Sequence, residues 1–161
     1  MLKIKKILFP IDFTENSIKI FPYVLSMAEK YDSTIYLIHI AQDLFEWGGF
    51  YVPHASLEIS QTEVLITAEK LLDKICNEQL QEHPDAKKII VSGDPALEIL
   101  KIIESEDIDL VIMGTHGRKG LDHVIFGSVA SNVVKKSLAP TLTVNPYKLK
   151  NDRGEGHTQG G

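Results

Sequence analysis

The sequence predicts an α/β protein built on one open, parallel, five-stranded sheet with helices on both faces. Three observations predict it. Short runs of β-branched and aliphatic residues alternate with stretches of helical apolar spacing in the order β-α-β-α-β-α-β-α-β, the pattern of parallel strands joined by right-handed crossovers. The strand-like runs are almost continuously apolar, as strands covered on both faces are. A glycine-rich stretch, Gly114–Ser128, stands between the fourth run and the last helical pattern, where open sheets of this class hold anions.

The first strand is Ile4–Ile11, with Ile7, Leu8, Phe9 and Ile11 in a nearly unbroken run. Asp12 follows with Glu15 three residues on, a capping-box spacing in which Thr14 is a rival cap. Ile18, Phe21, Val24, Leu25 and Ala28 then recur at helical spacing up to Tyr31. Pro22 interrupts them, so the helix either starts late, near Phe21, or is kinked there.

Thr34–Ile40 is rich in β-branched and aromatic residues and makes the second strand. Ala41–Ser56, with Trp47 and Pro53, has no period and reads as a long loop. Val64, Leu65, Ala68, Leu71, Leu72, Ile75 and Leu80 mark an amphipathic helix that begins as early as Leu57 on the widest reading. Lys88–Ser92 is a third strand. Gly93-Asp94-Pro95 supplies a turn, an N-cap and a proline at the first helical position, and Ala96, Leu97, Leu100 and Ile103 are expected to face the core. Ile108–Met113, Val129–Leu138 and Thr141–Asn145 complete the pattern as strand, helix and strand.

A chain of 161 residues fits one domain, and at this length roughly 70% of the unfolded surface can be buried. Residues 1–147 are read as that domain and 148–161 as a polar, glycine-rich tail. The net charge of −5 and the lack of a long basic run argue against nucleic acid as a partner. Cys76 is the single cysteine, which fits a reducing cytoplasm, and it falls on a helical apolar stripe where it behaves as a small hydrophobe. No apolar run approaches the ~20 residues of a membrane span, and the opening residues carry too short an apolar core for a signal peptide.

Chemistry concentrates at the strand ends. Gly114 and Gly117 bracket a tight loop, and Gly127-Ser128 opens the last helix. Glycines admit close approach of backbone to a ligand, while a helix start presents N–H groups with partial positive charge, so this stretch is suited to the phosphates of a nucleotide. Ser128 can also serve as a simple N-cap. Arg118 and Lys119 place positive charge beside the loop. His116 is either a phosphate contact or a residue hydrogen-bonded within its own loop. Asp12 is a candidate for orienting ribose, adenine or a metal-bound water, with helix capping as its structural alternative. No P-loop, no Gly-x-Gly-x-x-Gly after the first strand, no nucleophile elbow and no metal-ligand spacing occurs, and no residue stands out as a base for hydrolysis.

Gly114-x-x-Gly117, nine residues, then Gly127-Ser128 resembles the signature of the ATP-binding branch of the universal stress proteins, and the similarity runs from about Lys5 to Pro146. The resemblance implies a Rossmann-like sheet of the adenine nucleotide alpha hydrolase kind, of order 3-2-1-4-5, in a homodimer formed through the last strand, Thr141–Asn145. It places Asp12 and Ile40 at the base and ribose, with Pro10 and Ile11 adjoining. Met113, Gly114 and Gly117 would flank ribose and phosphates, and Gly127, Ser128 and Val129 would hold the phosphates through backbone N–H groups. His116 and Arg118 fall inside the motif as variable positions. The expected ligand is ATP, with magnesium or manganese as the accompanying cation where one is present.

The function expected is a cytoplasmic, nucleotide-gated stress or signalling module with at most slow ATP hydrolysis. Two alternatives stand beside it. A member of the same fold without nucleotide would serve as an interaction protein. A phosphoryl receiver domain needs paired acids after the first strand, an aspartate ending the third and a lysine after the fifth; Asp12 stands without an adjacent acid, the third strand ends in Ser92-Gly93, and Asn145-Pro146 takes the lysine's place.

Overall fold

The computed structural model describes residues 1–42, 61–116 and 126–149. Five strands, β1 (Lys6–Ile11), β2 (Thr34–Ala41), β3 (Lys87–Ser92), β4 (Leu110–Gly114) and β5 (Thr141–Val144), form one sheet of order β3-β2-β1-β4-β5. Every neighbouring pair is parallel. The helices are α1 (Glu15–Ile18), α2 (Phe21–Tyr31), α3 (Gln61–Gln79), α4 (Pro95–Ser105) and α5 (Ser128–Lys136). The expected alternation and strand order are both present. The Trp47–Pro53 stretch and the tail from residue 150 lie outside the described residues.

The strand pleat sorts the apolar residues into two cores. Ile7, Phe9 and Ile11 point to one face and pack with Phe21, Val24 and Ala28 of α2 and Leu72 and Ile75 of α3. Leu8, Ile38, Ile40, Val111 and Met113 point to the other, against Ile99 and Ile103 of α4 and Ala130 and Val133 of α5. Cys76 packs at the margin of the first core, as its stripe position implied, and burial pushes its thiol pKa up, with Lys88 opposing and Asp73 adding to the shift.

Of the two readings at Pro22 the late start holds, and one expectation changes in detail. The chain makes the single turn of α1 and α2 starts at Phe21, as one reading had it, which puts Pro22 in the first turn of α2, where its missing N–H costs nothing. On α4 the buried stripe is Ile99 and Ile103, while Leu97 is 51% exposed. Six aliphatic side chains on that helix permit two stripes, and the one that reaches β2 and α5 is the one buried.

The two edges of the sheet differ. β3 opens with the exposed Lys87 and Lys88, charges that discourage pairing with another strand, and Lys88 is ion-paired with Asp73 of α3. β5 carries no charge, and it is flanked by exposed Leu138 and Val134, with Leu142 on the strand itself.

The two ends of the central pair differ as well. At the start of β1, Asp109 ties the strands together: its Oδ2 accepts from the backbone N–H of Lys5 at 2.7 Å and of Lys6 at 2.9 Å. Towards the carboxyl end the pairing of β1 with β4 stops after Ile7↔Leu110 and Leu8↔Val111, while β1 stays paired with β2 as far as Ile11↔His39. A crevice therefore begins above Leu8, at the point where the winding of the sheet reverses.

Candidate functional site

Around this crevice stand the carboxyl ends of β1, β2 and β4. Pro10, Ile40 and Met113 belong to one face: Ile40 and Met113 share a core, and Pro10, two residues after Leu8, follows Leu8 to the same side. All three present apolar side chains on that face. Ile11 is 4% exposed in the opposite core, so its side chain faces away and only its backbone borders the crevice.

Asp12 is a hydrogen-bond hub. Its Oδ1 accepts from Thr14 N–H at 3.0 Å, from the Thr14 hydroxyl at 2.5 Å and from the Ser17 hydroxyl at 2.6 Å, and its own N–H donates to Ser17 Oγ at 3.2 Å. Thr14 is the N-cap of α1 but makes no side-chain capping bond, because its hydroxyl is given to Asp12. Between them Phe13 has a φ of 62°, a left-handed conformation that non-glycine residues adopt at a cost of order 1–3 kcal/mol. The Phe13 ring lies on the imidazole of His39, centroids 4.0 Å apart, and His39 Nδ1 donates to the Ile11 carbonyl at 2.9 Å. A carbonyl only accepts, so the proton sits on Nδ1. Phe13, Ser17 and His39 were not among the expected site residues. The signal available was their position: two directly follow the first strand, and the third lies in the last turn of pleat of the second.

On the other side of the crevice, Gly114 ends β4. A Cβ there would lie 2.8 Å from Ile20 Cδ1 and 3.1 Å from the His116 carbonyl, so any side chain at this position must displace its neighbours. His116 is buried; its Nδ1 pairs with the Thr115 hydroxyl at 2.7 Å and its ring meets Tyr147 edge-on at 5.2 Å. These contacts tie His116 to its loop neighbour Thr115 and to Tyr147. Gly117, Arg118 and Lys119 lie outside the described residues.

The loop returns at Gly127, whose N–H donates to the Thr115 carbonyl at 2.7 Å and pins the loop's two ends together. Gly127, not Ser128, is the N-cap of α5; Ser128 is its first helical residue. Gly127 has no side chain to cap with, and its carbonyl takes the first helical bond, from Ser131 N–H at 3.0 Å. The N–H groups of Ser128, Val129 and Ala130 therefore have no acceptor within the helix. Among the described residues the first turn of α5 carries no acid, and Lys135 and Lys136 sit in its last turn, so the helix supplies no carboxylate of its own to its positive end.

An open parallel sheet, a crevice at its switch point and an uncapped helix start beside it define the class of α/β proteins that bind ligands at the carboxyl ends of their strands. Comparison narrows the class. The model of the universal stress protein family matches residues 3–145, and the chain belongs to that family. It is 33% identical over 152 residues to universal stress protein MJ0577 of Methanocaldococcus jannaschii, covering 87% of this chain and 94% of that one. Universal stress protein YxiE of Bacillus subtilis is 26% identical over 144 residues, covering 86% and 97%. The solved structure of MJ0577 superposes with a TM-score of 0.73 at 31% identity, covering 92% of this chain and 99% of that one. The fold is also that of the universal stress protein from Archaeoglobus fulgidus in complex with dAMP, with a TM-score of 0.61 at 16% identity over 89% of this chain and 98% of that one. Among the described residues no helix is long and apolar enough to cross a membrane.

Proposed function

We propose that this chain binds an adenine nucleotide, ATP foremost, across the crevice between β1 and β4, and works as a nucleotide-gated stress or signalling module in the cytoplasm. The observation that carries the reading is the uncapped start of α5, three helix N–H groups without an internal acceptor, pinned next to the open end of β4. Support comes also from family members crystallised with adenine nucleotides, one with dAMP and one with cAMP, both at 16% identity to this chain.

In this reading Pro10, Ile40 and Met113 face the base, and Asp12, already held by Thr14 and Ser17, is presented to base and ribose. Gly114 and Gly117 let the backbone approach the ribose and phosphates. Ser128 and Val129 give their N–H groups to the phosphates, while that of Gly127 holds the loop closed. Magnesium or manganese would arrive with the phosphates. No base for hydrolysis is assigned, and binding rather than turnover is the expected activity.

The test is direct. Mass spectrometry of the denatured protein is expected to release an adenine nucleotide, and titration calorimetry on nucleotide-free protein to give a saturable isotherm with ATP. A protein that purifies empty and gives no heat with ATP, ADP or AMP is the nucleotide-free family member instead.

Residues 1–147 act as the folded unit in this reading, and pair with a second copy through β5, the uncharged edge with exposed Leu142 and Leu138 beside it. Leu142→Arg is expected to convert the dimer to monomer in sedimentation at micromolar protein with the fold intact; an unchanged sedimentation coefficient would place the interface elsewhere.

A further inference from the structure

Pairing between β1 and β4 stops half-way, and Pro10 stands where it stops. Backbone groups alternate sides along a strand. The Lys5 carbonyl accepts from Thr34 N–H at 2.8 Å on the β2 side, and the Lys6 carbonyl from Asp109 N–H at 3.0 Å on the β4 side. Odd residues of β1 therefore address β2 and even ones, Pro10 included, address β4. On β4, Val111 N–H donates to the Pro140 carbonyl and Thr115 N–H to the Val144 carbonyl, each at 2.9 Å, so odd residues address β5 and Ile112 and Gly114 address β1. After Leu8↔Val111 the next rung of the ladder requires an N–H from residue 10 to the Ile112 carbonyl. Proline has none.

The same proline leaves the β2 side untouched, which is why β1 remains paired there to its end. Proline in a central strand is otherwise excluded because it removes a ladder bond. Here the bond removed is the one whose formation would draw the two strands together over the crevice. Asp109 holds the opposite end of the same pair shut through two N–H groups, so the opening is confined to the carboxyl half.

We infer that Pro10 is a positioning residue: by withholding one backbone donor from β4 it keeps the β1–β4 crevice open for ligand. The inference rests on the nucleotide reading for the identity of the ligand, and on the register alone for the opening.

Pro10→Ala supplies the missing N–H with the smallest side chain. Hydrogen exchange on the nucleotide-free variant is expected to show the residue-10 amide protected about a hundredfold or more, as a closed ladder bond would be. Its melting temperature is not lowered, and its ATP affinity falls at least about tenfold. Lactic acid at position 10, which makes an ester, has no N–H and carries the same methyl side chain as alanine, is expected to bind ATP at least about fivefold more tightly than Pro10→Ala, any remaining deficit against the native chain being the lost ring. An unprotected residue-10 amide in Pro10→Ala, affinity within about twofold of native, or no recovery with the ester would each overturn the inference. If the native chain binds no nucleotide, the nucleotide reading falls by itself and the exchange measurement still decides the ladder. Should Pro10→Ala fail to fold, Pro10→Val, which supplies the same N–H with a side chain that strands favour, is compared with its own ester, 2-hydroxyisovaleric acid at position 10: tighter ATP binding by the ester upholds the inference, and equal or weaker binding ends it.

Discussion

Helices α4 and α5 start at the same end of the sheet, each after a strand and a turn, yet their first turns are built in opposite ways. α4 is closed by its own sequence. Gly93, at a φ of 143° that favours glycine, turns the chain so that Asp94 becomes the N-cap, and Asp94 Oδ1 accepts from Leu97 N–H at 2.8 Å. Pro95 removes one orphan donor, and Glu98 adds a negative charge to the first turn. α5 has a glycine where α4 has the aspartate, a serine where α4 has the proline, and no acid in its first turn. One helix start is capped by its own first residues, and the other has no such cap among the described residues. Under the proposed function the first serves stability and the second a ligand, and exchanging the residues that make the contrast is the sharpest way to break it.

The largest effect is expected from Gly127→Asp. The backbone of Gly127, φ −65° and ψ 160°, suits an N-cap as that of Asp94 does at −72° and 123°. A carboxylate there would accept from the α5 N–H groups and take the place of a phosphate. The added Cβ comes within 3.2 Å of the Thr115 carbonyl, so the loop must yield by a few tenths of an ångström. ATP affinity is expected to fall at least about a hundredfold, with the melting temperature equal to or above that of the native protein, since a cap contributes ~1 kcal/mol. Calorimetry and a thermal melt on the same preparation check both. Retained affinity would mean that the phosphates do not use this helix.

The reciprocal change, Asp94→Ala, is expected to act on stability alone. Loss of the cap costs about 1 kcal/mol, read as a lower denaturation midpoint at unchanged m-value, while ATP affinity stays within about twofold. An equal loss of affinity would show that the two helix starts are not independent.

How much of this contrast could be read beforehand differs between the two helices for a physical reason. Gly93-Asp94-Pro95 spells out its cap because turn, acceptor and proline are side-chain properties. At α5 the cap is an absence, and the letters Gly127-Ser128 suggest the serine as the cap until the backbone shows that the helix has already begun there. The same limit governs the rest of the site. The strands and their order followed from apolar runs and from the glycine signature, which are local or familial. Phe13 in a left-handed conformation, the Phe13–His39 stack, and Tyr147 reaching both His116 and Asn16 depend on which strand ends the topology brings together. Residues 16 and 147 are 131 positions apart, and no periodicity connects them. Pro10 entered only through the family resemblance, and its place in the ladder needs the register.

The finest distinction concerns charge rather than capping. Glu98 lies in the first turn of α4, within 2.6 Å of Lys101 Nζ, and its side chain is far less exposed than the lysine's. Glu98→Gln keeps the shape, removes the charge from the positive end of the helix dipole and weakens the pair with Lys101. The expected loss is about 0.3–1 kcal/mol at low ionic strength, shrinking as salt is added because both terms are screened. Unfolding at low and high salt checks it: a loss that persists undiminished in molar salt would assign it to the short hydrogen bond from Lys101 Nζ rather than to long-range charge. The corresponding position on α5 is Ser131, and Ser131→Glu is the complementary experiment. A carboxylate in that first turn should raise stability by a similar few tenths of a kcal/mol and lower affinity for ATP more than for AMP, because repulsion grows with the charge of the phosphate chain. Equal losses for the two nucleotides would place the α5 terminus away from the outer phosphates.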